Sequence, residues 1–127
     1  MQPDMTAPQT PAAPEKPEDK IRHLPPEARA AFQRFQAEGD LAALDPVIFA
    51  IMEEYIPRTP ARPLAEFPGT TLLIDELGFD SLAITEVVFF TEDLFGISIA
   101  NEEIIQVRTL DDLRGFVRRK VSDRPAS

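Results

Sequence analysis

The sequence predicts an all-α fold: a small bundle of three main helices and a short fourth, with an additional N-terminal helix. Two observations carry this. Apolar residues recur at three- and four-residue spacing in four segments after residue 25, and no segment alternates with the period of two that marks a strand. Prolines, glycines and short polar residues stand where helices of ordinary length would begin and end. At 127 residues the chain has the size of one domain.

Residues 1–24 carry Pro3, Pro8, Pro11, Pro14 and Pro17 with no aromatic residue and little aliphatic content. Such a segment cannot bury enough apolar surface to offset its ordering entropy, so it is expected to be a disordered arm, either a passive tail or a recruiting element. Residues 25–40 are expected to form an extra amphipathic helix, with Pro25 and Pro26 at its start, Ala28, Ala31, Phe32 and Phe35 as its stripe and Gly39 as its C-cap. It either packs on the domain or is held ready for a partner. The domain itself is expected over 41–121. Asp45 is an expected N-cap with Pro46 at the first helical position, Val47, Ile48, Ile51, Met52 and Tyr55 form the stripe, and Pro57 stops the run. Residues 41–44 add a short turn ahead of it. The connection 57–71 has four prolines, no strand alternation and no helical stripe, and it reads as a long crossover between two side-by-side helices.

Leu72, Leu73 and Leu77 suggest a turn that plugs the core and ends at Gly78. Asp80 then caps a helix that opens at Ser81 and Leu82 and runs to Phe95 and Gly96. Asn101 is an expected cap for a short helix over 102–106. Thr109 with Asp112 forms a capping box for the last helix, whose buried face is Leu110, Leu113, Phe116 and Val117, with Arg118, Arg119 and Lys120 near its C-terminal dipole. Residues 122–127 are expected to be a disordered tail.

Composition narrows the function. Twenty-two acidic residues against 13 basic ones give a formal charge of −9, which repels nucleic acid and suits basic protein surfaces. No Cys is present, which excludes disulfides, thiolate metal sites and thiol nucleophiles, and the single His23 is too little for a His-based triad or metal site. No apolar run is long enough to cross a membrane, and no apolar leader follows a basic start, so a cytoplasmic, monomeric protein is expected.

A helical wheel of 80–95 places Ala83, Ile84, Val87, Phe90, Thr91, Leu94 and Phe95 on a core arc. The opposite arc holds Ser81, Leu82, Thr85, Glu86, Val88, Phe89, Glu92 and Asp93, so three large apolar residues sit among acids on the side facing water. That pattern suggests a docking surface, unless the helix 25–39 or the long loop covers Val88 and Phe89. Between Leu64 and Leu113 stand eleven acids and one base, Arg108, a field that steers a basic partner toward Ser81. Ser81 lies at a helix N-terminus, where free N–H groups favour an attached phosphate. No Gly-x-Ser-x-Gly pattern and no neighbouring His or Lys would make it a hydrolytic nucleophile.

The run Leu77-Gly78-Phe79-Asp80-Ser81-Leu82 resembles the Leu-Gly-x-Asp-Ser-Leu motif of the acyl carrier protein family. Phe95-Gly96-Ile97-Ser98-Ile99 and Thr109-Leu110-Asp111-Asp112-Leu113 are similar to that family's later loop and last-helix start, and the resemblance covers about residues 45–120. It implies a carrier rather than an enzyme. Ser81 would bear 4′-phosphopantetheine, attached from coenzyme A by a phosphopantetheinyl transferase, with Asp80 capping the helix or helping to hold a metal at the transferase. Acyl groups would ride on the arm as thioesters, be shielded in the bundle, and be presented to acyl-transferring or acyl-modifying enzymes of fatty acid, lipid or polyketide synthesis. Those partners would dock basic surfaces on Leu82, Glu86, Val88, Phe89, Glu92 and Asp93. Ala83 replaces the acid common two places after the serine, Ala100 a common proline, and Phe89 and Phe90 are bulkier than usual, which points to a specialised member. A peptidyl or aryl carrier of a nonribosomal pathway, or an acidic helical adaptor that is never modified, are the alternatives.

Overall fold

A computed structural model describes residues 17–123. Its helices, in chain order, are α1 (Pro17–Lys20), α2 (Pro26–Glu38), α3 (Leu44–Tyr55), α4 (Ser81–Phe95), α5 (Asn101–Ile104) and α6 (Leu110–Asp123), with single 3₁₀ turns at Leu41–Ala43 and Leu64–Glu66. The only β pairing among the described residues is an isolated antiparallel bridge between Leu72 and Thr109. The all-α reading holds.

The core lies between α3, α4 and α6, with α2 as a further layer. α3 contributes Val47, Ile48, Ile51 and Met52, α4 contributes Ala83, Val87, Leu94 and Phe95, and α6 contributes Leu110, Leu113, Val117 and Val121. The crossover between α3 and α4 is not featureless. Its turn buries Leu64 completely, and Leu73 and Leu77 plug the core from the end of the loop. Leu72 instead stays half-exposed and joins the bridge to Thr109. α3 ends where expected: Ile56, before Pro57, takes an extended conformation at φ −62°, ψ 132°.

α2 packs on the domain. Phe32, tilted, and Phe35, edge-on, each pack at a ring distance of 6.0 Å against Phe95 at the C-terminal end of α4. Gly39 closes α2 in the left-handed conformation at φ 70°, with its N–H donating to Phe35 O.

Four expectations are corrected. The arm does not extend to residue 24: residues 17–24 form α1 and a turn whose Ile21 and Leu24 are 2% and 3% exposed in the core. Two aliphatic residues three apart are enough to anchor one helical turn once α4 offers an apolar face. Residues 1–16 lie outside the described residues, and so do 124–127, while Ser122 and Asp123 complete α6 rather than starting a tail. Asp45 is not a cap. The turn at Leu41–Ala43 runs straight into α3, and the capping oxygen there belongs to Asp40, which accepts from Ala42 N at 3.1 Å. Asp45 Oδ2 instead accepts from Arg118 at 2.7 Å and Arg114 at 3.2 Å, tying α3 to α6. Asn101 is the first residue of α5 and not its cap; Glu103 Oε1 reaches back to accept from Ala100 N at 2.9 Å. The box at α6 forms as read, with Thr109 Oγ1 accepting from Asp112 N at 3.0 Å and Asp112 Oδ2 accepting from Thr109 N at 3.2 Å.

Candidate functional site

Ser81 is an exposed residue and the first of α4. Three local features put it there. Gly78 turns the chain at φ 83°, a conformation L side chains rarely adopt, and a side chain there would also press on the Arg58 guanidinium, 3.3 Å from a Cβ position. Phe79 follows and is buried as the anchor of the turn. Asp80 is extended, and its Oδ1 accepts from Ala83 N at 2.8 Å, satisfying one first-turn amide. Ser81 therefore stands at the positive end of a 15-residue helix. Its carbonyl accepts from Thr85 Oγ1 at 2.7 Å. Asp75, Glu76 and Asp80 around it are exposed acids.

The outer face of α4 divides into two sets. Leu82 and Phe89 are 68% and 64% exposed, and Glu86 is exposed between them. The α2 helix does not cover Phe89: its aromatic residues lie against Phe95, while His23 meets Phe90 edge-on at 5.8 Å. Tyr55 also faces Phe90, at 6.2 Å. Burial, then the carboxylates of Glu54 and Glu86, hold the Tyr55 hydroxyl above its ordinary pKa.

Val88, Glu92 and Asp93 are engaged within the chain. Val88 is half-buried and lines a narrow apolar crevice with Met52, Phe79, Ile84, Ile104 and Val107. Glu92 Oε2 accepts from Ile99 N at 2.7 Å, fixing the strand of chain that leads to α5. Asp93 pairs with Lys20 at 3.1 Å. A wheel of one helix treats its whole outer arc as free. Here α5, the segment before it and α1 supply these contacts along the two flanks of α4, while the Asp93 side chain stays 70% exposed. Sequence reasoning also passed over Lys20, Ile21 and Leu24; the aliphatic pair inside the proline-rich stretch was the available signal.

The crevice between α4 and α5 has a volume of about 20 Å³, room for about one water molecule and for no acyl chain. Among the described residues no group of His, Asp and Glu is arranged to hold a metal, and no helix is long and apolar enough to cross a membrane.

The site is thus an exposed serine at a helix N-terminus with an acidic helix behind it that carries exposed apolar residues. Comparison with known proteins assigns this arrangement to a family. Residues 54–117 match the family described as the phosphopantetheine attachment site. The acyl carrier protein of Solidesulfovibrio magneticus is 34% identical over 56 residues, which cover 44% of this chain and 72% of that protein. The meromycolate extension acyl carrier protein of Mycolicibacterium smegmatis is 27% identical over 85 residues, 67% of this chain and 86% of that protein. The chain belongs to the phosphopantetheine-bearing acyl carrier protein family. It is a carrier and not an enzyme, its prosthetic group is covalent 4′-phosphopantetheine, and its role lies in fatty acid or lipid synthesis, where it meets the enzymes of that synthesis. Neither the nonribosomal carrier nor the unmodified adaptor is favoured.

Proposed function

We propose that Ser81 is the residue that bears the 4′-phosphopantetheine arm, and that Leu82, Glu86 and Phe89 form the face on which partner enzymes dock. The observation that carries the first point is the exposure of Ser81 at the N-terminus of α4, directly after the turn at Gly78. Docked on a phosphopantetheinyl transferase, Ser81 Oγ attacks the pantetheine-side phosphorus of coenzyme A. The phosphorus–oxygen bond to adenosine bisphosphate breaks, and the hydroxyl proton leaves to the transferase. Asp80 keeps the helix end capped, and its carboxylate would assist a metal held at the transferase. The free amides and dipole of α4 favour the phosphodiester so formed. When bound, the group supplies the thiol on which an acyl chain is held as a thioester, chemistry that a chain without Cys has no other means to perform.

The acids around Ser81 suit partners with basic docking surfaces, which include the transferase and the acyl-transferring or acyl-modifying enzymes. Shielding of a long acyl chain in the crevice requires Ile84 and Val88 to part from Ile104 and Val107, since the present volume is too small. A reducing compartment such as the cytoplasm fits a chain that uses no Cys.

The test is intact mass after incubation with a phosphopantetheinyl transferase and coenzyme A. The chain should gain one phosphopantetheine, and Ser81→Ala should gain none while keeping its thermal midpoint within a few degrees, because a first-turn residue is replaced by a good helix former. Persistent labelling of Ser81→Ala would place the arm on another residue.

A further inference from the structure

The outer line of α4 runs Leu82, Glu86, Phe89, Asp93, each about one turn beyond the last. The two acids on it are in different electrostatic states. Glu86 is exposed, and among the described residues no cation pairs with it. Asp93 is held by Lys20, whose ammonium lies 3.1 Å from Oδ1 and donates to the Asp93 carbonyl at 3.2 Å. The lysine is unusually well placed for a surface ion pair. Its side chain is only 18% exposed, against 70% for that of Asp93. Its neighbour Ile21 and the nearby Leu24 are buried, and His23 is packed on Phe90. Anchoring of the residues that follow Lys20 removes part of the ordering cost that makes ordinary exposed pairs weak. The far end of the docking helix thus stays exposed at Asp93 but is electrostatically offset, while the half near Ser81 keeps its unpaired acids and its exposed Leu82 and Phe89.

We propose that residues 17–24 act as a partner filter, in which Lys20 held on Asp93 confines the acidic docking face to the Ser81 half of α4. The partner this surface fits carries a cationic rim, complementary to Glu86 and Asp80, around an apolar cleft that takes Leu82 and Phe89. A basic partner whose surface reaches past Phe89 to Asp93, the phosphopantetheinyl transferase among them, is slowed by the pair. This rests on the reading of Ser81 and α4 given above.

The experiment follows the rate of mass gain of the full chain with a phosphopantetheinyl transferase and coenzyme A, at low ionic strength and at about 0.15 M salt. Lys20→Met releases the Asp93 carboxylate and should raise the low-salt rate about two- to fivefold, with a steeper fall on adding salt. Ile21→Ser loosens the anchor while leaving both charges in place, and should shift the rate in the same direction. Lys20→Arg keeps the pair and should load at the wild-type rate. In Lys20→Met/Asp93→Asn the gain should vanish, because the freed acid is gone. A wild-type chain that loads, with Lys20→Met and Ile21→Ser loading no faster, overturns the filter alone. A wild-type chain that gains no mass overturns the Ser81 reading and the filter with it.

Discussion

Phe89 shows how a single residue can carry two opposite expectations. An aromatic ring on the outer arc of α4 is either a recognition anchor or a core contact covered by the N-terminal helix, and the two differ in what removal costs. With the ring 64% exposed and α2 packed on Phe95 instead, Phe89→Ala should change the thermal midpoint by no more than a degree or two. The same change should weaken docking of a partner enzyme by about 1–3 kcal/mol, as loss of an aromatic anchor does. Titration calorimetry beside a melting curve reads both. A destabilised Phe89→Ala with unchanged affinity would mean that the ring is structural. Gly78 is the complementary case, a residue whose worth lies in its missing side chain: its positive φ sets the turn that delivers Asp80 and Ser81 to the helix start.

At the scale of elements, the outcome for the N-terminal helix is mixed. Phe89 is not beneath α2, yet α2 is no loose appendage. It buries Ala28, Ala31, Phe32 and Phe35, and α1 with its following turn buries Ile21 and Leu24. Phe32→Ala should therefore cost about 3–5 kcal/mol, the range for deleting a buried ring. That is a large fraction of the stability of a domain this size. Chemical denaturation of the full chain measures it, and a loss below about 1 kcal/mol would show that the layer contributes little. α3 and α6 are joined differently, through one carboxylate shared by two guanidinium groups. Asp45 accepts from both Arg114 and Arg118, and Arg114 bonds Asp111 as well, which holds its pKa above the ordinary value.

For the whole molecule, the excess of acid makes pH the informative variable. Hydrogen bonds from the backbone at Arg108 and Thr109 hold Asp112 below the usual carboxylate range, and the Lys120 ammonium followed by the Ala100 amide does the same for Glu103. Both groups bind protons more weakly folded than unfolded. Their stabilising effect is complete above the ordinary carboxylate pKa and is lost as pH falls through the depressed folded values. The thermal midpoint should hold steady down to about pH 5 and drop below about pH 4. Asp112→Asn should flatten that acid limb, because the titrating cap is gone. An acid limb unchanged in Asp112→Asn would assign the loss to other carboxylates. Protonation also relieves the self-repulsion of a chain at −9, which acts in the opposite direction and makes the slope shallower than the carboxylates alone would.

Local chemistry settled much of this protein in advance. Helix stripes, the Gly78 turn, the Asp80 cap and the Thr109–Asp112 box are interactions within a few residues, so they can be read along the chain, and with them the all-α fold and Ser81 at the head of α4. What the chain order could not decide is which element lies on which. Whether Asp45 caps α3 or binds Arg118, 73 positions away, depends on how α3 and α6 meet. What Val88 and Asp93 touch within the chain depends on how α5 and α1 meet the flanks of α4. The proline-rich start hid Ile21 and Leu24 for the same reason. Two aliphatic side chains are too few to order a segment alone, and they suffice only when a neighbouring helix has already formed the surface that buries them.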